Sequence, residues 1–111
     1  MRFNTNMTDC IFCKIINGDF GTEFLYSDDV CVVFKDINPK ANTHLLLVPR
    51  LHVESLNELN DEVLLGKLMM NVRKVTKQLG IKSYKTVINT GKDAGQEVFH
   101  LHIHILSGEK I

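Results

Sequence analysis

The stretch Val98-Phe99-His100-Leu101-His102-Ile103-His104-Ile105-Leu106 decides how this chain is expected to fold. Histidine alternates with apolar residues, and three of the five histidines in the protein stand here at every second position. Alternation with period two predicts a strand with two unlike faces. Three imidazoles roughly 6–7 Å apart would line one face and could bracket a phosphate-sized group. The opposite, core-facing side would consist of Phe99, Leu101, Ile103 and Ile105.

The composition indicates one small globular domain. The chain has 111 residues, of which 44% are hydrophobic, and thirteen basic residues balance thirteen acidic ones. A net charge of zero argues against a nucleic-acid binder, which normally carries a basic excess. There is no apolar run near the roughly 20 residues of a membrane span, and no secretory signal is visible. Because three cysteines make a disulfide framework improbable, we expect a cytoplasmic protein.

The order of patterns along the chain predicts an α+β domain. Residues 1–8 are polar and expected to be flexible, and residues 9–111 would form a single domain. A short helix is expected over residues 10–16, capped by Thr8-Asp9, and a long helix over residues 61–79, capped by Asn60 and ended by Gly80. The fold would be an antiparallel sheet of about five strands with these two helices packed against it. The predicted strands cover residues 23–27, 30–34, 43–48, 84–90 and 98–106.

The apolar stripe of the long helix is wider than one core contact requires. Apolar residues recur at steps of three and four, which is typical of an amphipathic helix. Three more apolar side chains, Leu65, Met69 and Met70, widen that stripe and indicate a second surface. A homodimer is therefore expected. The stripe itself comprises Leu64, Leu68, Val72, Val75 and Leu79.

Histidine is well suited to phosphate chemistry. Imidazole titrates near neutrality, donates from both nitrogens when charged and is a competent nucleophile when neutral. Clustered rings lower one another's pKa, so a mixture of charged and neutral rings is expected at pH 7. Two alternatives stay open at this point, because His-x-His is also a common zinc or copper motif and a histidine can be purely structural.

The histidine stretch resembles the signature of the histidine triad superfamily. Residues 34–41, 43–50, 87–91 and 95–99 also resemble that family in order and spacing, so the similarity runs over residues 10–108. The chain looks most like the nucleotide-binding phosphoramidase (Hint) branch. The resemblance implies a histidine triad (HIT) fold and hydrolysis of purine nucleoside phosphoramidates or acyl-nucleotides at the α-phosphate. It also implies a covalent nucleotidyl-histidine intermediate, release of a nucleoside monophosphate and no cofactor for the chemistry.

The resemblance assigns roles to individual residues. His102 matches the nucleophile, and His104, His100 and His44 match the histidines that support it. Asp36 matches the carboxylate that binds the ribose hydroxyls, although on pattern alone Asp36 is a turn residue. The phosphate-site matches are Asn89, Gly95 and the backbone of Val98. Glu97 departs from the small hydroxyl residue of many relatives, which leaves the leaving group open. The apolar slot for the base matches Ile11, Phe12, Ile15, Phe34, Ile37 and Leu46.

A second candidate site begins with Cys10-x-x-Cys13, a spacing common in zinc sites. On pattern alone the two cysteines could equally be small buried residues. Some histidine triad proteins hold a structural zinc with two such cysteines and two histidines, and the matching histidines here are His52 and His100. Zinc would make His100 an anchor of the fold and remove it from acid–base work.

Two rival functions remain beside the phosphoramidase. One is a non-catalytic nucleotide-binding regulatory module, which would bind purine monophosphates without appreciable turnover. The other is a zinc metalloenzyme that uses all three histidines of the predicted strand as ligands.

Overall fold

The computed structural model describes residues 9–108. In that range the chain forms the helices α1 (Ile11–Ile16) and α2 (Glu62–Gln78) and a five-stranded sheet in the order β1-β2-β3-β5-β4. All neighbouring strands are antiparallel, which confirms the predicted α+β class. The N-terminal segment predicted to be flexible, residues 1–8, lies outside the described residues, as do residues 109–111. The strands are β1 (Tyr26–Ser27), β2 (Cys31–Lys35), β3 (Thr43–Pro49), β4 (Lys85–Val87) and β5 (Ile103–Ser107).

The long helix covers one face of the sheet. Leu45 lies opposite Ile105, and Leu47 lies opposite Ile103, so the register aligns apolar side chains across β3 and β5. Three residues of the predicted helical stripe, Leu68, Val72 and Val75, are buried against them, while Leu79 is exposed. Burial of these side chains holds α2 to the sheet, at about 25 cal/mol per Å² of apolar surface. The full cluster comprises Cys31, Val33, Leu45, Leu47, Leu68, Val72, Val75, Leu101, Ile103 and Ile105.

The short helix covers part of the other face. Alternate residues of β2 and β3 point here because side chains alternate across a strand. Phe12 of α1 enters this second apolar cluster, whose buried members are Phe12, Val32, Phe34, Leu46 and Val48. His104 lies directly opposite Leu46, so His104 belongs to the face that α1 covers.

The histidine strand is shorter than predicted. The sheet ladder starts at Ile103, and the residues before it form other hydrogen bonds. The N–H of Leu101 donates to the carbonyl oxygen of Val53, and Nε2 of His100 donates to the carbonyl oxygen of Pro49. The core-facing alternation therefore begins at Leu101, and the prediction that Phe99 belongs to it is wrong, because 45% of Phe99 is exposed.

Both predicted helix caps are one or two residues out of place. The Sγ of Cys10 accepts from the N–H of Cys13, so Cys10 caps α1 in place of Asp9; Thr8 lies outside the described residues. The carboxylate of Asp61 accepts from the N–H of Leu64 and caps α2 in place of Asn60. A 3-10 turn, Leu56–Glu58, lies between β3 and α2.

The strands at the two edges of the sheet are also shorter than predicted. β1 holds two residues of the expected residues 23–27, and β4 holds three of the expected residues 84–90. Within residues 9–108, α2 is the longest helix, and neither helix has the length and apolarity to cross a bilayer.

Candidate active site

Two histidines from neighbouring strands meet ring to ring on the face that α1 covers. His44 of β3 lies opposite Leu106, and His104 of β5 lies opposite Leu46, so the two histidines are diagonal neighbours. The Nε2 atom of His44 lies 2.9 Å from Nδ1 of His104. The single histidine of the otherwise apolar strand β3 thus has a polar partner in β5.

The hydrogen bonds around His44 define its tautomer. The backbone N–H of Lys40 donates to Nδ1 of His44 over 3.0 Å, so the ring proton of His44 must lie on Nε2. That proton is donated to Nδ1 of His104, and the ring proton of His104 therefore lies on Nε2. A carboxylate oxygen of Asp36 lies 3.4 Å from the same Nε2 of His44. The result is an ordered chain of donors that ends at Nε2–H of His104.

His102 is held in the opposite tautomer. Its Nδ1 donates to the carbonyl oxygen of His100 over 2.7 Å, which leaves the lone pair on Nε2. The ring is 7% exposed and packs edge-on against Phe12 at 5.0 Å between centroids. The centroids of the His102 and His104 rings are also 5.0 Å apart, closer than strand spacing alone predicts, and the rings are inclined at 66° to each other. A nucleophilic nitrogen thus lies beside a ring that carries a proton.

Burial keeps these two rings neutral. It lowers the pKa of His104 to about 4, and the neighbouring His102 and His44 rings lower it further than the Asp36 carboxylate raises it. Burial also lowers the pKa of His102, although its bond to the His100 carbonyl and the charge of Asp36 oppose that shift. We expected a mixture of charged and neutral rings at pH 7, but these lowered pKa values favour the neutral form of both His102 and His104. Both rings are neutral at pH 7, so His102 has a free lone pair.

Asp36 combines the turn role with a place beside the histidines. Its Oδ1 accepts from the N–H of Asn38 over 2.8 Å, which forms an Asx turn, and Oδ2 faces His44. The side chain retains 19% of its surface exposed, so a ligand can still reach the carboxylate.

The six residues predicted for the base slot fall into two groups. Phe12, Phe34 and Leu46 are buried in the second cluster, and Ile15 packs against them. In contrast, 47% of Ile11 and 91% of Ile37 are exposed. The first group forms a fixed apolar wall, and the second group would be covered only by a ligand.

The residues predicted for the phosphate site lie on or beside a loop that is held together by internal hydrogen bonds. Asn89 donates its side-chain N–H to the carbonyl oxygen of Ala94. Gly95 has a φ of 91°, a conformation that strains other residues, and a side chain there would meet Asn89 at 3.5 Å. Val98 packs against the cluster that contains Phe12. Glu97 is exposed, so its carboxylate stays hydrated.

Gln96 is a residue that sequence reasoning missed. It is 3% exposed, its Oε1 accepts from the N–H of Gly91, and its Nε2 donates to the carbonyl oxygens of Glu54 and Val98. These bonds close the loop and fix the backbone that leads into the histidine stretch. A glutamine between two loop residues gives no signal of this in sequence.

Four side chains form a second cluster beside this site. Nδ1 of His100 lies 3.3 Å from Sγ of Cys10, 3.6 Å from Sγ of Cys13 and 3.2 Å from Nδ1 of His52. The Sγ of Cys13 lies 3.3 Å from Nδ1 of His52. Ligand atoms of a tetrahedral zinc site are separated by about 3.3–3.8 Å. The donor set and its geometry therefore fit zinc.

The triad histidines divide between two different groups of possible ligands. Within residues 9–108, His100 falls with Cys10, Cys13 and His52, whereas His104 falls with Asp36 and His44. His102 belongs to neither group, and its Nδ1 is bonded to a carbonyl. This arrangement does not favour the rival hypothesis of one metal held by all three histidines.

An open groove of about 1090 Å³ lies along the exposed side of α2. Its described lining holds none of the residues of the two histidine clusters. The lining includes Val63, Gly66 and Met70 of α2, together with five basic residues, Lys67, Arg73, Lys74, Lys77 and Lys82.

Comparison with known proteins agrees with this geometry. The family model described as HIT domain matches residues 17–111. Protein HitA of Neisseria gonorrhoeae is 50% identical over 103 residues, which are 90% of this chain and 96% of HitA. A histidine triad protein from Clostridium difficile superposes with a TM-score of 0.88 and 38% identity, covering 100% of this chain and 96% of the other. A HIT family hydrolase from Legionella pneumophila superposes with a TM-score of 0.85 and 35% identity, covering 91% of this chain and 94% of the other.

Proposed function

This chain belongs to the HIT family, and on that premise we propose that it is a hydrolase of purine nucleoside phosphoramidates and acyl-nucleotides, as the resemblance to the Hint branch implies. The observation that carries the proposal is the state of His102. Its neutral ring is held through Nδ1 and presents the lone pair of Nε2, which is the form that a nucleophile requires.

The proposed reaction has two displacements at the α-phosphorus. Nε2 of His102 attacks, the bond from phosphorus to the leaving nitrogen or oxygen breaks, and a nucleotidyl-histidine forms. The leaving group takes the proton from Nε2 of His104. Nδ1 of His104 in turn accepts the proton from Nε2 of His44. Water then attacks the same phosphorus and gives a proton to the His44–His104 pair, which restores the proton that went to the leaving group. The bond to His102 breaks, and a nucleoside monophosphate is released.

Binding of the nucleoside would use the groups around the histidines. A vicinal diol donates two hydroxyls, and the Asp36 carboxylate can accept both. A flat purine suits an apolar wall of the kind formed by Phe12, Phe34 and Leu46, and it would cover the exposed Ile11 and Ile37. The loop with Asn89, Gly95 and the backbone of Val98 is the candidate phosphate site.

We also propose that Cys10, Cys13, His52 and His100 hold a structural zinc. The Nε2–H of His100 donates to the carbonyl oxygen of Pro49 over 2.8 Å, which leaves Nδ1 free to bind a metal. Bound zinc would cross-link α1 to the histidine stretch and would take no part in the chemical steps. The chemistry itself needs no cofactor.

A homodimer through α2 is the third part of the proposal. Val63 and Met70 are 65% and 57% exposed, and both line the groove on that helix. Apolar side chains at this spacing on one helix face commonly mark an interface with another protein surface. A second copy of the chain would bury them.

One experiment tests the proposed activity directly. The zinc-loaded protein is incubated with adenosine phosphoramidate in buffer without added divalent cations, and the acid-quenched protein is analysed by mass spectrometry. We expect ammonia and adenosine monophosphate as products, with an adenylyl adduct on His102. Binding of adenosine monophosphate without turnover or adduct would instead favour the regulatory module. Unchanged turnover by His102→Ala would refute the proposed nucleophile.

A further inference from the structure

We propose that the cluster of Cys10, Cys13, His52 and His100 acts as a positioning device that sets the orientation of the His102 ring. This inference rests on the proposed function, because it concerns the nucleophile of that reaction. The structure gives two separate contacts through which the cluster reaches His102.

The first contact runs through the backbone of His100. The ring of His100 is fully buried and is held on two sides, by the cluster at Nδ1 and by the carbonyl of Pro49 at Nε2. Its own carbonyl oxygen receives the Nδ1–H of His102. When the ring of His100 is fixed, the direction of that carbonyl is fixed, and with it the tautomer of His102.

The second contact runs through Phe12, which lies between the two cysteines in sequence. Its ring packs edge-on against His102 at 5.0 Å and also contacts His100 and Phe34 at 5.9 Å each. The helix that carries it has only six residues, so its hold on the sheet depends on side-chain anchors. Cys10 and Cys13 are two such anchors.

A bound metal would join these contacts into one rigid unit. The four ligands come from three distant parts of the chain, around residues 10–13, 52 and 100, and their ligand atoms lie within 4.8 Å of one another. Without metal, only thiol and imidazole hydrogen bonds link them, and these are weak for sulfur. Loss of the metal therefore loosens the two groups that hold the His102 ring from either side.

The test compares zinc-loaded wild type with Cys13→Ser, and uses Cys31→Ser as the matched control. Cys31 is the third cysteine, is buried in the cluster on the opposite face of the sheet, and its Sγ accepts from the side-chain N–H of Asn71. Nitrogen-15 NMR of the imidazole rings reports the tautomer of His102 directly. We expect one tautomer, with the proton on Nδ1, in wild type and Cys31→Ser, and an averaged mixture in Cys13→Ser. The kcat for adenosine phosphoramidate should fall roughly 10–100-fold in Cys13→Ser, with little change in KM.

Two further results decide the inference whatever the stability of the variant. If Cys13→Ser does not fold, cadmium is exchanged for zinc in wild type, and the larger ion should shift the His102 ring signals without unfolding the protein. A His102 signal that is the same with zinc, with cadmium and in a folded Cys13→Ser would overturn the positioning role. Since the NMR readout needs no substrate, it stands even if the proposed activity fails.

Discussion

The ring of His44 donates through Nε2 to Nδ1 of His104 over 2.9 Å, and it can do so because the N–H of Lys40 occupies its other nitrogen. The backbone N–H of Lys40 thus determines, through the ring of His44, which nitrogen of His104 carries the proton. If the proposed function holds, that proton is the one which the leaving group receives. The relay can be broken without touching the nucleophile.

Replacement of His44 should slow the chemical step. We expect His44→Ala to lower kcat for adenosine phosphoramidate roughly 100-fold, because His104 loses the donor that keeps its proton on Nε2. His44→Gln, whose side-chain N–H can reach a similar position, should lose less. Steady-state kinetics and thermal unfolding of both variants provide the measurement. Equal losses in the two variants would show that the donor is not what matters.

Stability should fall in mild acid because the half-buried ring of His104 carries no charge. Its pKa is about 4 in the folded protein, against 6.5 as the ordinary value, so between those pH values the unfolded chain binds a proton that the folded chain does not. Folding is therefore favoured above pH 6.5, and this contribution is lost as the pH falls towards 4. The loss should be well below about 1.4 kcal/mol per pH unit, because solvent screens the half-buried ring. Urea unfolding at pH 7.5 and 4.5 measures the change. His104→Gln should show a smaller difference between the two pH values, and an equal difference would exclude His104 as its source.

Asp36 can be tested so that its two roles separate. Asp36→Asn keeps an oxygen for the N–H of Asn38, and so retains the turn, but it loses the charge that would accept the ribose diol. We expect KM for an adenosine substrate to rise roughly tenfold. A 2′,3′-dideoxy substrate should be bound equally by wild type and variant. Weaker binding of the dideoxy substrate by the variant would place the effect elsewhere.

The zinc proposal predicts one zinc ion per chain. Cys10→Ser should lose the metal, while Cys31→Ser should keep it, as measured by elemental analysis of the purified proteins. Metal that binds only the folded state stabilises it by about 4 kcal/mol at a thousandfold excess over Kd. Removal of zinc should thus lower Tm clearly. A full complement of zinc in Cys10→Ser would refute the assignment of ligands.

The dimer proposal predicts that charge on α2 separates the subunits. Met70→Glu places a carboxylate on the exposed apolar face of the helix, so sedimentation should show a monomer where wild type shows a dimer. Ile37→Glu, at a more exposed apolar position far from α2 in sequence, should leave the dimer intact. A wild-type monomer at micromolar concentration would end the proposal.

The elements with strong periodicity could be predicted from sequence. The alternation at residues 101–105 and the stripe of Leu68, Val72 and Val75 both follow from burial on one face, and the structure confirms them. The start of β5 could not be predicted. The side chain of His100 donates to the carbonyl oxygen of Pro49, so that oxygen is not available to pair with β5. That contact joins residues 51 positions apart, and no local pattern reports it.

The candidate site was predicted in part for the same reason. Three histidines that alternate with apolar residues are recognisable in the sequence, and so is His44 as the one histidine of an apolar strand. Gln96 has an equally defined place, but its three partners are backbone atoms, which leave no trace in the identity of neighbouring residues. The base-slot residues came from family resemblance alone, since buried Phe34 and Leu46 look like any core residues.

The strand order has a consequence for how the protein is made. β5 comes last in sequence among the five strands of this sheet, yet it lies inside the sheet between β3 and β4, and β4 joins the sheet through it. A nascent chain therefore exposes the apolar edge of β3 until β5 has been synthesised, and it depends on fast folding or on chaperones during that time. Because β5 contains His104, a shortened product that lacks this strand has lost the pair that His44 forms with His104.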